Sequence, residues 1–469
     1  MTGSTTVGTT APTPAPSRVI MIAAAAALGG FLFGFDTAVI NGAVGAVRDW
    51  SGAGNLLLGF SVSGALIGCA VGAWFAGGLA NRFGRIKVMQ IAAFVFFTSS
   101  VGCALAWDIW SLTAFRLYGG LAVGAASVIA PAYIAEVSPA SIRGRLGSLQ
   151  QLAIVSGIFV ALLTAYALAQ AAGGAANELW FGMEAWRWMF LSEIVPALIY
   201  GVLASQIPES PRYLVGKGRF DEAAAVLTKY VGGDVQAKIV DIKATLHTES
   251  KQSIADLKGP ALGLLPIVWI GVLLSVFQQF VGINVIFYYS SVLWQAVGFG
   301  ESAALGITVF TSVTNILTTL LAIALIDKVG RKPLLLVGST GMALTLGTMA
   351  YVFGTAPIVG GEPVLGDTAG IVAIVAANLY VVFFGMSWGP VVWVLLGEMF
   401  SNRIRAYAIA VAAAAQWVAN FAVSTTFPSL SSLGLGLAYG IYTTMAVLSL
   451  FFVARFVRET RGMELEEMK

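Results

Sequence analysis

The chain runs to 469 residues, of which 58% are hydrophobic and only 10% charged, with a net charge of +3; soluble domains carry roughly 25% charged residues. That balance excludes a soluble protein of ordinary composition and places the chain in a lipid bilayer, with no nucleic-acid partner expected. About twelve segments of 18 or more mainly apolar residues are each long enough to cross the membrane. They centre near residues 33, 68, 96, 123, 159, 195, 277, 314, 343, 382, 416 and 445. Strand alternation is absent, so these segments read as helices and not as barrel strands.

Residues 1–17 are rich in Thr, Pro and Gly and have no apolar face, so a disordered tail is expected there. They lack the basic start and apolar core of a cleavable signal. The first helix contains Gly29-Gly30-Phe31-Leu32-Phe33-Gly34-Phe35-Asp36. A carboxyl group at membrane depth is costly and rarely faces lipid. Asp36 therefore reads as a proton or cation site, or else as one partner of a buried ion pair. In the second helix Gly64, Gly68 and Gly72 form a small-residue ladder suited to close helix contact. The basic turn Asn81-Arg82-Phe83-Gly84-Arg85 follows. Cys69 and Cys103 lie within helices and read as small packing residues. The fourth helix carries Arg116, a permanent cation that needs a partner at this depth. Asp36 and Glu193 of the sixth helix are the acids at comparable depth in this half, and the three suggest a proton relay. Between the fourth and fifth helices stand Glu136, Arg143 and Arg145, with Gln150 and Gln151 soon after.

Residues 207–260 form one long polar connection, opening with Pro208-Glu209-Ser210-Pro211-Arg212 and patterned as short amphipathic helices. His247, the single histidine, reads as a solvated loop residue. The seventh helix then carries Gln278-Gln279-Phe280-Val281-Gly282-Ile283-Asn284. These amides are uncharged and both donate and accept hydrogen bonds, as a hydroxyl-covered neutral ligand requires. On an unbroken helix Gln279 and Asn284 would point roughly 140° apart. A break at Gly282 would let both face one cavity. The competing reading is a polar seam between packed helices. The tenth helix holds Gly385-Met386-Ser387-Trp388-Gly389-Pro390-Val391-Val392-Trp393, which predicts a broken or bent helix, with Trp393 either an interface anchor or, as its neighbours suggest, buried beside the break. Gln416, Trp417 and Asn420 lie on the eleventh.

The halves repeat. Gly84-Arg85 returns as Gly330-Arg331, Glu136 and Arg143 return as Glu398 and Arg405, and Pro208-Glu209-Ser210 has a weak echo in Arg458-Glu459-Thr460. Matching loop signatures mark a duplicated transporter. With both termini inside, Lys and Arg concentrate in the cytoplasmic segments, leaving Arg48 and Arg187 outside. The expected fold is an all-α membrane protein of twelve transmembrane helices in two pseudo-symmetric six-helix halves. The tail covers 1–17, the halves 18–206 and 261–457, the linker 207–260 and a cytoplasmic tail 458–469.

On Gln278-Gln279-Phe280-Val281-Gly282-Ile283-Asn284, Pro208-Glu209-Ser210-Pro211-Arg212, the turns at Gly84-Arg85 and Asp327-Lys328-Val329-Gly330-Arg331-Lys332, and Gly389-Pro390, the chain resembles the sugar porter family of the major facilitator superfamily. Within it, it is most similar to bacterial proton-linked monosaccharide transporters of the xylose–proton symporter type. The resemblance implies sugar contacts at Gln151, Gln278, Gln279, Asn284, Asn315, Trp393, Gln416 and Trp417, with Phe33 beside the site. It implies proton coupling through Asp36, Arg116 and Glu193. It also implies a cytoplasmic gate of Arg85, Glu136 and Arg143 with Asp327, Arg331, Glu398 and Arg405. Ile86, Ala406 and Arg458 depart from the family pattern at that gate.

The resulting expectation is a proton-coupled monosaccharide symporter working by alternating access, with no cofactor, functional as a monomer in a bacterial inner membrane. A sugar facilitator is the nearest alternative, separated from it by whether uptake moves protons. A transporter-like sugar sensor is disfavoured by the short tail. An enzyme is disfavoured because no metal-ligand cluster, nucleophile–base pair or phosphate loop is present.

Overall fold

No water reaches the hydrocarbon core to satisfy peptide groups, so each apolar run closes its own hydrogen bonds as a helix. The computed structural model describes residues 16–139, 142–249, 254–359, 362–401 and 404–460, without the side chains of residues 16, 143–145, 247–249, 254, 327, 362 and 406. Among them are twelve helices long and apolar enough to cross a membrane, and each of the twelve expected centres falls inside one. The protein is an integral, multi-pass membrane protein.

The first five spans are Pro16–Ser51, Asn55–Phe83, Arg85–Ala104, Ile109–Val137 and Arg143–Ala172. The sixth is Ala185–Ser192 continued by Ile194–Gln206, interrupted at Glu193. The seventh is Pro266–Phe280 and Ile283–Gln295, and the eighth and ninth are Glu301–Val329 and Arg331–Gly354. The tenth is Asp367–Gly385 and Trp388–Met399, followed by Arg405–Leu433 and Leu435–Phe456. The expected tail of residues 1–17 falls outside the described residues up to 15, and the first helix already includes Pro16 and Ser17. Residues 461–469 of the expected cytoplasmic tail also lie outside them.

The first helix packs on the fourth and fifth, and the second lies along the fourth. There glycines let backbone meet backbone. A Cβ on Gly68 would collide with the Leu117 carbonyl and one on Gly120 with the Ala65 carbonyl. The last six spans pack among themselves in the same manner, the ninth on the twelfth and the eleventh on the seventh. The repeat reaches the backbone angles: Gly84 has φ 97°, ψ 162°, and Gly330 has φ 102°, ψ 165°.

Between the sixth and seventh spans lie the short helices Pro211–Gly216, Phe220–Val226, Leu227–Val231 and Val235–Glu249. Leu214, Val215, Ala223, Leu227 and Ile239 form their small core. Three two-stranded hairpins complete the loops.

Twelve spans bring the start of the first described helix and the end of the last to one side, the termini side. The hydrogen bonds that join the first six spans to the last six, where both partners are described, all lie on the opposite, far side. Asn41 donates to the Phe287 carbonyl at 2.9 Å and to Ser290 Oγ at 3.1 Å, and its own carbonyl accepts from Ser291 Oγ at 2.6 Å. Ser63 and Thr425 hydroxyls meet at 2.6 Å, Gln170 reaches Ser302, and Glu301 accepts the Ala175 N–H at 2.9 Å.

Candidate functional site

The seventh span breaks where its sequence says it should. Gly282 takes φ 84°, ψ 19°, a left-handed turn that a side chain would strain. The turn swings Asn284 back over the preceding helix, and its Nδ2 donates to Gln279 Oε1 at 2.6 Å. Two amides that an unbroken helix would hold apart thus meet. Gln278 Nε2 is engaged elsewhere, donating to the carbonyls of Trp388 (2.8 Å) and Gly389 (3.1 Å) just past the break of the tenth span. Its Oε1 remains able to accept. Asn315 is buried, and its Oδ1 would stand 3.7 Å from a Cβ on Gly385, at the same break. Across the two sets of six, the rings of Phe33 and Trp417 stand 6.0 Å apart. Gln151 is half-buried on the fifth span, and Gln416 Oε1 is buried without a partner among the described residues. Neighbouring Gln150, not expected at the site, leaves both its Oε1 and Nε2 unpartnered. Buried amides without partners are rare and call for water or a ligand.

One expectation is corrected. Trp393 is 43% exposed, and the tryptophan buried beside the break is Trp388, at 0%. Val391, Val392, Leu395 and Leu396 take the core-facing side of that helix and leave Trp393 on the open one. The Trp388 indole N–H reaches Ser339 Oγ at 2.9 Å, a buried partner that fixes it in place.

The three charged residues at depth do come together with the first and fourth spans. Asp36, Arg116 and Glu193 are 4%, 2% and 1% exposed. Arg116 Nη1 stands 3.8 Å from Asp36 Oδ1, beyond hydrogen-bond reach. The guanidinium instead donates to the backbone carbonyls of Asp36 (3.0 Å) and Val62 (3.3 Å). Asp36 Oδ2 has no partner among the described residues. Glu193 Oε2 accepts from Ser100 Oγ at 2.9 Å, while its Oε1 is unpartnered.

On the termini side the two repeats build the same network twice. Arg85 holds Glu136 with two hydrogen bonds of 3.0 Å, and Arg331 holds Glu398 at 3.0 and 2.6 Å. Such paired guanidinium–carboxylate contacts are the strong, oriented kind. Glu209 accepts the N–H groups of Arg85 and Ile86, and Glu459 those of Arg331 and Lys332. The Ser210 hydroxyl donates to Glu136 and the Thr460 hydroxyl to Glu398, the latter at 2.6 Å. Ile86 gives its backbone N–H as Lys332 does, but the side-chain bond that Lys332 makes to the Ala454 carbonyl at 3.1 Å has no counterpart at Ile86. In the weak echo Arg458-Glu459-Thr460, Glu459 and Thr460 repeat the bonds of Glu209 and Ser210. Arg405 does not pair with Glu398: its guanidinium donates to the Phe400 carbonyl at 2.9 Å, because the turn before its helix brings that carbonyl within reach. The side chains of Arg143 and Asp327 lie outside the described residues.

A model of the family described as "Sugar (and other) transporter" matches residues 22–469. The chain is 60% identical over 466 residues to the glucose transport protein of Synechocystis sp., covering 97% of this chain and 100% of that one. It is 39% identical over 488 residues to the D-xylose-proton symporter of Escherichia coli (97% and 95%), and 35% identical over 457 residues to the arabinose-proton symporter of Bacillus subtilis (96% and 94%). Among solved structures, the partially occluded inward open conformation of the xylose transporter XylE from E. coli superposes with a TM-score of 0.83 at 38% identity, covering 96% of this chain and 100% of that one. The inward open conformation gives 0.81 at 39% identity, covering 96% and 99%.

Proposed function

We propose that this chain, which belongs to the sugar transporter family, is a proton-coupled monosaccharide symporter that works by alternating access. The observation that carries the reading is the meeting of Gln279 and Asn284 across the Gly282 break, which gathers neutral donors and acceptors for sugar hydroxyls. Gln151, Gln278, Asn315, Gln416 and Gln150 extend that surface. Phe33, Trp393 and Trp417 offer ring faces to the C–H face of a pyranose.

Coupling rests on Asp36, Arg116 and Glu193. Arg116 is a fixed cation. Two carboxyls beside one guanidinium make a buried site that is neutral with one proton aboard and carries net negative charge without it. Asp36 Oδ2, unpartnered among the described residues, is the position for that proton. Names of relatives that are proton symporters for xylose and arabinose support the assignment. The halves 18–206 and 261–457, joined by the linker 207–260, would rock about the sugar. Arg85, Glu136, Arg143, Asp327, Arg331, Glu398 and Arg405 would close the cytoplasmic side. The Lys and Arg distribution supports cytoplasmic termini, a bacterial inner membrane suits the relatives, and a monomer contains every residue named.

Uptake of a panel of labelled sugars into proteoliposomes, with and without an imposed pH gradient, tests the proposal. Accumulation that requires the gradient is expected. Equilibration alone would replace the symporter with a facilitator.

A further inference from the structure

The seventh and tenth spans each break, and each break is held by a side chain from the other. At the seventh, the Gly282 N–H turns to the Gln279 carbonyl (2.9 Å) and the Val285 N–H to the Gly282 carbonyl (3.1 Å). The Val281 carbonyl, which a continuous helix would pair with the Val285 N–H, is thereby released inside a buried site. The Tyr380 hydroxyl, one turn before the break of the tenth span, donates to it at 2.7 Å, and both residues are fully buried. In return Gln278 donates to the Trp388 and Gly389 carbonyls past that break. From the twelfth span the Tyr442 ring lies over Gly282 so closely that a Cβ there would stand 2.7 Å from a ring carbon.

We infer that Tyr380 is a positioning residue for the sugar site: through the Val281 carbonyl it sets the turn that holds Gln279 against Asn284, and it ties the two hinges into one unit. This rests on the transport reading above. A donor that merely satisfies a buried carbonyl would change stability alone. A positioning donor also changes how tightly the folded protein holds sugar.

The test is calorimetric binding of D-glucose and D-xylose to the purified full chain and its variants, with melting temperature followed in parallel. Tyr380→Phe is expected to weaken binding roughly 5- to 30-fold, the scale of one lost buried hydrogen bond. Tyr439→Phe removes a buried hydroxyl that has no partner among the described residues and is expected to leave affinity unchanged. Added to Asn284→Ala, Tyr380→Phe is expected to cost nothing further, since both act on one contact. Unchanged affinity in Tyr380→Phe, a loss confined to melting temperature, or additive losses in the double variant would each overturn the inference. If Tyr380→Phe does not fold, Gly282→Ala, which distorts the same turn from the Tyr442 side, must show the same non-additivity with Asn284→Ala, and independent losses there overturn it. A wild-type protein that binds neither sugar overturns the monosaccharide reading and this inference with it. A failure confined to the variants overturns the inference alone.

Discussion

At Asp36 one carboxylate oxygen is unpartnered among the described residues, while Arg116, 3.8 Å from the other, gives its hydrogen bonds to backbone carbonyls. The carboxyl is thus near a cation without being locked to it, the arrangement a proton carrier needs. Asp36→Asn keeps the shape but cannot take up and release a proton near neutral pH. Uphill uptake driven by a pH gradient is expected to vanish, while exchange of labelled for unlabelled sugar survives. Continued accumulation by the variant would transfer the role to Glu193. Gln279→Ala removes the acceptor that holds Asn284 and, in the proposed sugar site, a ligand contact with it, and calorimetry should show sugar binding weaker by roughly 1–3 kcal/mol. Charges at depth were legible in the sequence because hydrocarbon penalises them. Asn41 was equally available as a lone amide among Val39, Ile40, Val44 and Val47, but its role depends on the Phe287 carbonyl some 246 residues away, which no local pattern encodes. Trp388 and Trp393 could not be ranked for burial because the break between Gly385 and Trp388 resets the helical phase.

Breaks and close crossings are where sequence reading worked at the level of elements. Gly282 and the Gly389-Pro390 pair announce interruptions by composition, since glycine costs a helix about 1 kcal/mol and proline about 3. The interruption at Glu193 has no such signal, because the residue stays near helical angles, φ −66° and ψ −21°. The glycine ladder of the second span was legible as packing, but its partner rows on the fourth span were not. Gly68 faces the Leu117 carbonyl, Gly72 that of Leu121, Gly120 that of Ala65 and Gly124 that of Cys69. Side chains there would force two backbones apart. Gly120→Val is therefore expected to lower stability by roughly 1–3 kcal/mol or more, read as a fall in melting temperature of the purified protein. Gly77→Ala on the second span, where a Cβ meets nothing within 4 Å, should melt with the wild type. Equal melting of all three proteins would mean that the contact between the spans is looser than the geometry states.

The molecule as a whole is a duplicated frame caught closed on the far side. The duplication was legible at Gly84-Arg85 and Gly330-Arg331, and the structure extends it to Glu209 and Glu459, each collecting the same two backbone N–H groups. The conformational state was not legible, because one sequence must support every state of the cycle. It shows in where the halves touch: Asn41, with its side chain and carbonyl all bonded to the second half of the seventh span, latches the far side. Beside it lies a cavity of about 80 Å³, lined by Gly42, Gly45, Asp49, Ala176 and Gln295 among others. Two substitutions should then push the equilibrium in opposite directions. Asn41→Ala removes the latch and should favour opening on the far side. Glu398→Gln weakens the bidentate pair with Arg331 that the proposed termini-side gate needs, and should hold that side open. Both of the chain's cysteines are buried, so reporter cysteines label against a low background. Gly45→Cys reports the far side and Gly397→Cys the termini side, and a Cβ at either position meets nothing within 4 Å. In Asn41→Ala, labelling at 45 should quicken and labelling at 397 slow. In Glu398→Gln the reverse is expected, and sugar should protect 397 less than in the wild type. A latch and a gate on one rocking body must move the two reporters in opposite senses, because opening one side closes the other. If Asn41→Ala raises labelling at both positions together, the substitution has loosened the fold, and Asn41 holds the protein together without selecting its state.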